Sequence, residues 1–166
     1  IEDGEVMPTE DYPDNLEVTE LPDFNETGRQ LYKSFEASGR HLLRAVAEYL
    51  GLDVHYFDDK IHNGNSILRA IHYPPILEEP KSAIRAEAHE DINLITLLIG
   101  ASADGLEVLT RDGDWFPIKA DADDIVVNVG DMLQRLTNNK LKSTTHRVVN
   151  PPRELMGTSR YSVPFF

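Results

Sequence analysis

His-Glu-Asp at 89–91, His146 downstream and Arg-Tyr-Ser at 160–162 are the residues of this chain whose types and spacing can do chemistry. Two imidazoles and one carboxylate form the ligand set that holds a single non-haem Fe(II) on one face, with the opposite positions left open. On an extended strand His89 and Asp91 point to the same side and Glu90 to the other. His146 then has to arrive from a distant strand. Arg160 and Ser162 again share one face, a fixed cation beside a hydroxyl, which suits a bound carboxylate. The set describes an iron site with an organic-acid pocket next to it.

Each piece has a blander reading. An H-x-D tripeptide is usually surface polarity, a lone later histidine is more often structural than a ligand, and R-x-S is common anywhere. The surrounding residues shift the balance. His89 and Asp91 run directly into Ile-Asn-Leu-Ile-Thr-Leu-Leu-Ile (92–99), an apolar run of the kind a buried strand makes. His146 opens the β-like His-Arg-Val-Val, and Arg160-Tyr-Ser-Val-Pro-Phe-Phe alternates polar with apolar residues. The five polar residues therefore sit on, or at the mouth of, expected strands.

Over these segments the chain resembles the non-haem iron oxygenases that include isopenicillin N synthase and the plant 2-oxoglutarate dioxygenases. The matching text is His-Glu-Asp-Ile-Asn-Leu-Ile-Thr-Leu-Leu (89–98), Gly-Leu-Glu-Val (105–108) with Gly-Asp-Trp (113–115), and Val-Asn-Val-Gly-Asp-Met-Leu (127–133). Leu-Thr-Asn-Asn-Lys-Leu-Lys-Ser-Thr-Thr-His-Arg-Val (136–148) and Arg-Tyr-Ser-Val-Pro-Phe-Phe (160–166) complete it. The resemblance runs from about Leu68 to Phe166. It implies Fe(II) on His89, Asp91 and His146, with O2 as oxidant. It also implies 2-oxoglutarate as cosubstrate, its far carboxylate on Arg160 and Ser162 and with Tyr73 nearby, and release of succinate and CO2. An ordinary strand-end aromatic is the competing reading of Tyr73.

One position departs from the pattern. Plant relatives often carry an asparagine two residues before that tyrosine, reaching the cosubstrate, and here the residue is Ile71. Leu-Thr-Asn-Asn and Ser-Val-Pro-Phe-Phe stand close to isopenicillin N synthase, which uses no 2-oxoglutarate. The alternatives are thus a 2-oxoglutarate-independent iron oxidase of that type, or a non-catalytic jelly-roll binding module. Arg69 and Arg85, on expected strands near the motif, could meet an acidic substrate; surface or sheet-edge ion pairs are the competing role.

The elements that must position these residues are mainly β with helices. Residues 1–24 read as an acidic loop or linker with Pro8, Pro13 and Pro22. Residues 25–65 read as a helical support region. Thr27 with Gln30 makes a capping box, and Gly51 offers the stop. Leu31, Phe35, Leu42, Val46, Tyr49 and Leu50 keep roughly a 3.6 period between them, a stripe expected to pack on the sheet, with Gly39 a weak point. Val54–Phe57 is expected to form a short helix. From residue 66 strands are expected at 66–73, 83–88, 92–99, 106–110, 115–118, 125–129, 145–149 and 159–165, a pattern that suggests a sandwich or jelly roll. The resemblance makes 66–166 a double-stranded β-helix, the oxygenase core, preceded by the long packing helix. Relatives carry segments on both sides of this region, so the chain reads as a fragment of a longer family domain.

Composition narrows the partners. A net charge of −13 argues against non-specific binding to phosphate backbones, so no nucleic acid is expected. No run approaches the ~18 apolar residues that span a bilayer. The absence of cysteine excludes thiolate metal sites and a disulfide framework and fits a reducing, cytoplasmic setting. A small-molecule substrate is the expected partner.

Overall fold

The computed structural model describes residues 15–78, 80–99, 101–121 and 123–166. Most of the expected acidic loop, including Pro8 and Pro13, lies outside them. The chain divides into two compact units, Ile1–Ser66 and Ile67–Phe166.

The first unit is built on helix α1 (Phe24–Leu50). It starts a turn before the expected cap, with Asp23 at the N-cap position and no side-chain cap. The capping box does not form, because Gln30 donates to Glu26 instead (2.8 Å). Gly51 does stop the helix, in the left-handed region at φ 73°, with the Gly51 and Leu52 amides closing on Glu48 and Ala47. The buried stripe is Phe35, Gly39, Leu43 and Ala47, spaced by four. Leu42 and Tyr49, placed on that stripe by periodicity, are exposed, Tyr49 at 68%. Gly39 is thus within the buried face. Val54–Phe57 is a turn, held by Asp53 accepting from the His55 amide (2.8 Å), and the short helix α2 follows at Asp58–Ile61. Asp58 ties it to α1 through Arg44 (2.6 Å).

The second unit is the β core. Its strands are β1 (Ile71–Tyr73), β2 (Ala86–His89), β3 (Ile95–Ile99), β4 (Leu106–Leu109), β5 (Trp115–Pro117), β6 (Ile125–Val129), β7 (His146–Val148) and β8 (Arg160–Phe165). They make two four-stranded sheets in the orders β1-β8-β3-β6 and β2-β7-β4-β5, every pairing antiparallel. This is the expected jelly roll. Leu97, Thr96, Val148, Ser162 and Phe165 are buried within it.

Two boundaries differ from expectation in ways that matter to the site. Residues 66–70 reach β8 only through an isolated bridge, Leu68 to Phe165, and flanking amide bonds, so Arg69 lies outside the named strands. The run 92–99 becomes strand only at Ile95, and Ile92 is 81% exposed. The cause is a helix that sequence periodicity missed, α3 (Asp131–Leu136). Its first amides lash the segment after Asp91: Asp131 to the Asp91 carbonyl (2.7 Å), Met132 to that of Asn93 (3.1 Å) and Gly130 to that of Leu94 (2.9 Å). A Cβ at Gly130 would collide with the carbonyl and side chain of Asn93, so this close approach requires glycine.

Candidate metal and carboxylate site

His89 is the last residue of β2, and His146 faces it as the first residue of β7. Their rings stand 4.4 Å apart between centroids. Asp91, two residues beyond His89, is buried and brings Oδ1 to 3.8 Å from His146 Nε2. One ligand atom from each of the three lies within 4.8 Å of those from the other two.

Hydrogen bonds aim all three. Nδ1 of His89 lies 2.7 Å from the Glu87 carbonyl and Nδ1 of His146 lies 2.9 Å from that of Thr144. A carbonyl only accepts, so each Nδ1 carries a proton, and each Nε2 is the ring nitrogen left for a metal. Asp91 Oδ2 accepts from Thr96 Oγ1 (2.6 Å) and Asn128 Nδ2 (2.9 Å), which leaves Oδ1 toward His146. Glu90 turns away, its carboxylate accepting from Thr145 Oγ1 (2.9 Å), although it and Asp91 lie just beyond the end of β2. Thr96, Asn128 and Gly130 were not singled out as site residues from the sequence. The only signal for Asn128 and Gly130 was the 127–133 segment in which they stand.

The acid end is built on β1 and β8. Tyr73 pairs with Arg160 and Ile71 with Ser162, so all four share one face of the sheet. Arg160 is 1% exposed. Its Nε donates to the Ala103 carbonyl (3.1 Å), while Nη1 is buried with no partner. Burial pushes this guanidinium below its ordinary pKa; Tyr73 opposes the shift and Arg85 adds to it. A cavity lined by Leu98, Asp104, Leu106, Ile118, Val126 and Arg160, among others, lies beside Arg160; neither the histidines nor Tyr73, Ser162 and Arg85 line it. Ile71 brings a hydrocarbon side chain to the face where an amide would reach a ligand. Arg85 sits on the bend before β2 with its guanidinium near Tyr73, whereas Arg69 is exposed and lies over the Phe166 ring. The structure therefore brings Arg85 to the acid end and leaves Arg69 at the surface.

Residues 64–166 match the family pattern of the 2OG-Fe(II) oxygenase superfamily. This chain belongs to that family. It is 34% identical over 152 residues to the 2-oxoglutarate-Fe(II) type oxidoreductase hxnY of Emericella nidulans, covering 90% of this chain and 42% of the relative. Among solved structures, a 2OG-Fe(II) oxygenase family protein from Caulobacter crescentus superposes with a TM-score of 0.87. It is 49% identical, with 96% of this chain and 52% of that one covered. A full-length Neurospora crassa protein, solved in complex with alpha-KG, superposes with a TM-score of 0.84 at 35% identity, over 93% and 48% of the two chains. The chain spans about half the length of the relatives it matches. The fold of the family's core, a double-stranded β-helix, is the one described above. None of the described helices is long and apolar enough to cross a membrane.

The residues present fit the groups the family implies. Two imidazole nitrogens and one carboxylate oxygen converge without thiolate, the donor set of a non-haem iron. The buried Nη1 of Arg160, which has no partner, fits an anion, because a buried donor left unsatisfied is costly.

Proposed function

We propose that this chain carries the metal and cosubstrate site of an Fe(II)- and 2-oxoglutarate-dependent oxygenase that oxidises a small organic substrate. His89, Asp91 and His146 would hold the iron, and Arg160 and Ser162 the far carboxylate of the cosubstrate, with Tyr73 at their side. With both bound, the metal centre supplies O2 activation coupled to oxidative decarboxylation of 2-oxoglutarate to succinate and CO2. The protein's own part is orientation. The Glu87 and Thr144 carbonyls fix the tautomer of each histidine, Thr96 and Asn128 fix the carboxylate, and the buried guanidinium sets the direction of the acid. The absence of cysteine is consistent with a cytoplasmic setting.

The observation that carries the cosubstrate reading is the Nη1 of Arg160, buried and unpartnered on the face shared with Ser162 and Tyr73. The test is anaerobic addition of 2-oxoglutarate to the Fe(II) protein. A weak visible charge-transfer band should appear, and oxygen should then release succinate. Metal content must be checked first, since Mn, Co or Ni can occupy such a site in a purified sample.

Ile71 favours a second reading. An apolar residue opposite Ser162 withdraws one polar contact from the cosubstrate. In a 2-oxoglutarate-independent oxidase of the isopenicillin N synthase type, the substrate's own carboxylate would take Arg160. A full-length, iron-loaded protein that gives neither band nor succinate would reject the dioxygenase reading and move the oxidase ahead.

A further inference from the structure

Two guanidinium groups, not one, approach the Tyr73 ring. Cζ of Arg160 lies 5.2 Å from its centroid and Cζ of Arg85 lies 5.9 Å from it. They come from different segments: Arg160 opens β8, whereas Arg85 sits on the bend leading into β2 of the other sheet. Arg85 is anchored by Nη2, which donates to the Thr158 carbonyl (3.1 Å), just ahead of Arg160 in the chain.

The two side chains share one deficiency. Nε of Arg85 and Nη1 of Arg160 are both buried with no hydrogen-bond partner. Among the described residues, no ion pair answers either charge. Two other partly buried arginines are answered, Arg44 by Asp58 and Arg147 by Glu107. Arg85 also weighs on Arg160 through like-charge repulsion. An anion at this end is attracted by both groups and relieves the repulsion between them. A carboxylate has two oxygens and about four lone-pair directions, enough to accept from several donors at once.

We propose that Arg85 is a second cation for the carboxylate held by Arg160, so that the site selects a dicarboxylic 2-oxo acid through two guanidinium groups. The inference rests on the cosubstrate reading above. It places Arg85 at the cosubstrate and not at an acidic primary substrate.

The test titrates the Fe(II)-loaded protein anaerobically with 2-oxoglutarate. A parallel titration uses 2-oxobutyrate, which keeps the chelating end and lacks the distal carboxylate. Arg85→Met should weaken 2-oxoglutarate binding by about tenfold, more at low than at high ionic strength, and leave 2-oxobutyrate and iron stoichiometry unchanged. Arg85→Lys should restore most of the affinity, because it returns the charge. Unchanged 2-oxoglutarate affinity in Arg85→Met overturns the proposal. So does an equal loss for both acids, which would mark a structural role through Thr158. If Arg160→Met weakens 2-oxoglutarate and Arg85→Met does not, Arg85 alone is misassigned. If the native protein binds 2-oxoglutarate no better than 2-oxobutyrate, the carboxylate reading of Arg160 falls and takes Arg85 with it.

Discussion

The metal end and the acid end of this site are built on opposite plans. At the metal end, protein groups already take up the hydrogen bonds that aim the ligands: the Nδ1 atoms of His89 and His146 and the Oδ2 of Asp91 are all engaged. What remains is one ligand atom on each residue, all three within 4.8 Å of one another. At the acid end, two guanidinium groups keep buried N–H donors without partners. One end is organised by the chain itself, and the other keeps donors free for the carboxylate proposed above. A metal tolerates little error in donor position, so its ligands are braced beforehand, whereas a carboxylate can complete a charged pocket on arrival.

The hardest test of the braced end is removal of a ligand. Asp91→Ala should abolish stoichiometric iron, read by metal analysis of the purified protein. Glu90→Ala, which loses only the outward bond to Thr145, should hold iron nearly as well as the native chain. Equal loss in both would break the assignment of the three ligands.

The open end comes next in size. A charge-assisted hydrogen bond is worth on the order of 1.5–3 kcal/mol, so Arg160→Ala should weaken 2-oxoglutarate by roughly ten- to a hundredfold while iron affinity stays nearly intact. Ser162→Ala, which removes a neutral hydroxyl, should cost less. A variant that lost iron and acid together would mean that the two ends are not separate.

Bracing itself can be weakened without touching a ligand. Asn128→Ala removes one of the two bonds to Asp91 Oδ2, and loss of such an outer partner costs about tenfold in metal affinity. Iron titration against a competing chelator measures it. No change would show that Thr96 alone suffices.

The smallest effect lies in the other unit and serves as a control. The Arg44 guanidinium, with His55, lowers the Asp58 carboxyl to about 2. Its folded pKa is below its unfolded one, so the stabilisation is full above about pH 4 and fades as pH falls toward 2. Asp58→Asn should lower Tm modestly near neutrality, and the gap from the native protein should close over that acid range. Iron binding at neutral pH should be unaffected.

Much of the site was legible in the residues because strand geometry is local. Alternation predicted that Arg160 and Ser162 lie together, as they do on β8; it also put His89 and Asp91 on one side, an arrangement the structure reaches although β2 ends at His89. Ladder register then put Tyr73 opposite Arg160 and His146 opposite His89. The helix was harder to read. Leu42 and Tyr49 fit a 3.6 period as well as Leu43 and Ala47 do, and only packing decides which of two adjacent stripes is buried. Helix α3 was missed because Asp131–Leu136 is too short to show a period.

The sequence by itself determined the chemistry: which side chains carry lone pairs, which carry charge, and which of them a strand must hold on one face. Those properties belong to single residues and to spacings of two. Only the tertiary structure decided how each group is held and what it lacks. That Asn128 braces Asp91, that Gly130 must be glycine beneath Asn93, and that Arg85 meets Arg160 at Tyr73 depend on strands and turns far apart in the chain. A hydrogen-bond partner, or its absence, is a property of the space around an atom, and that space is created when the two sheets close on each other.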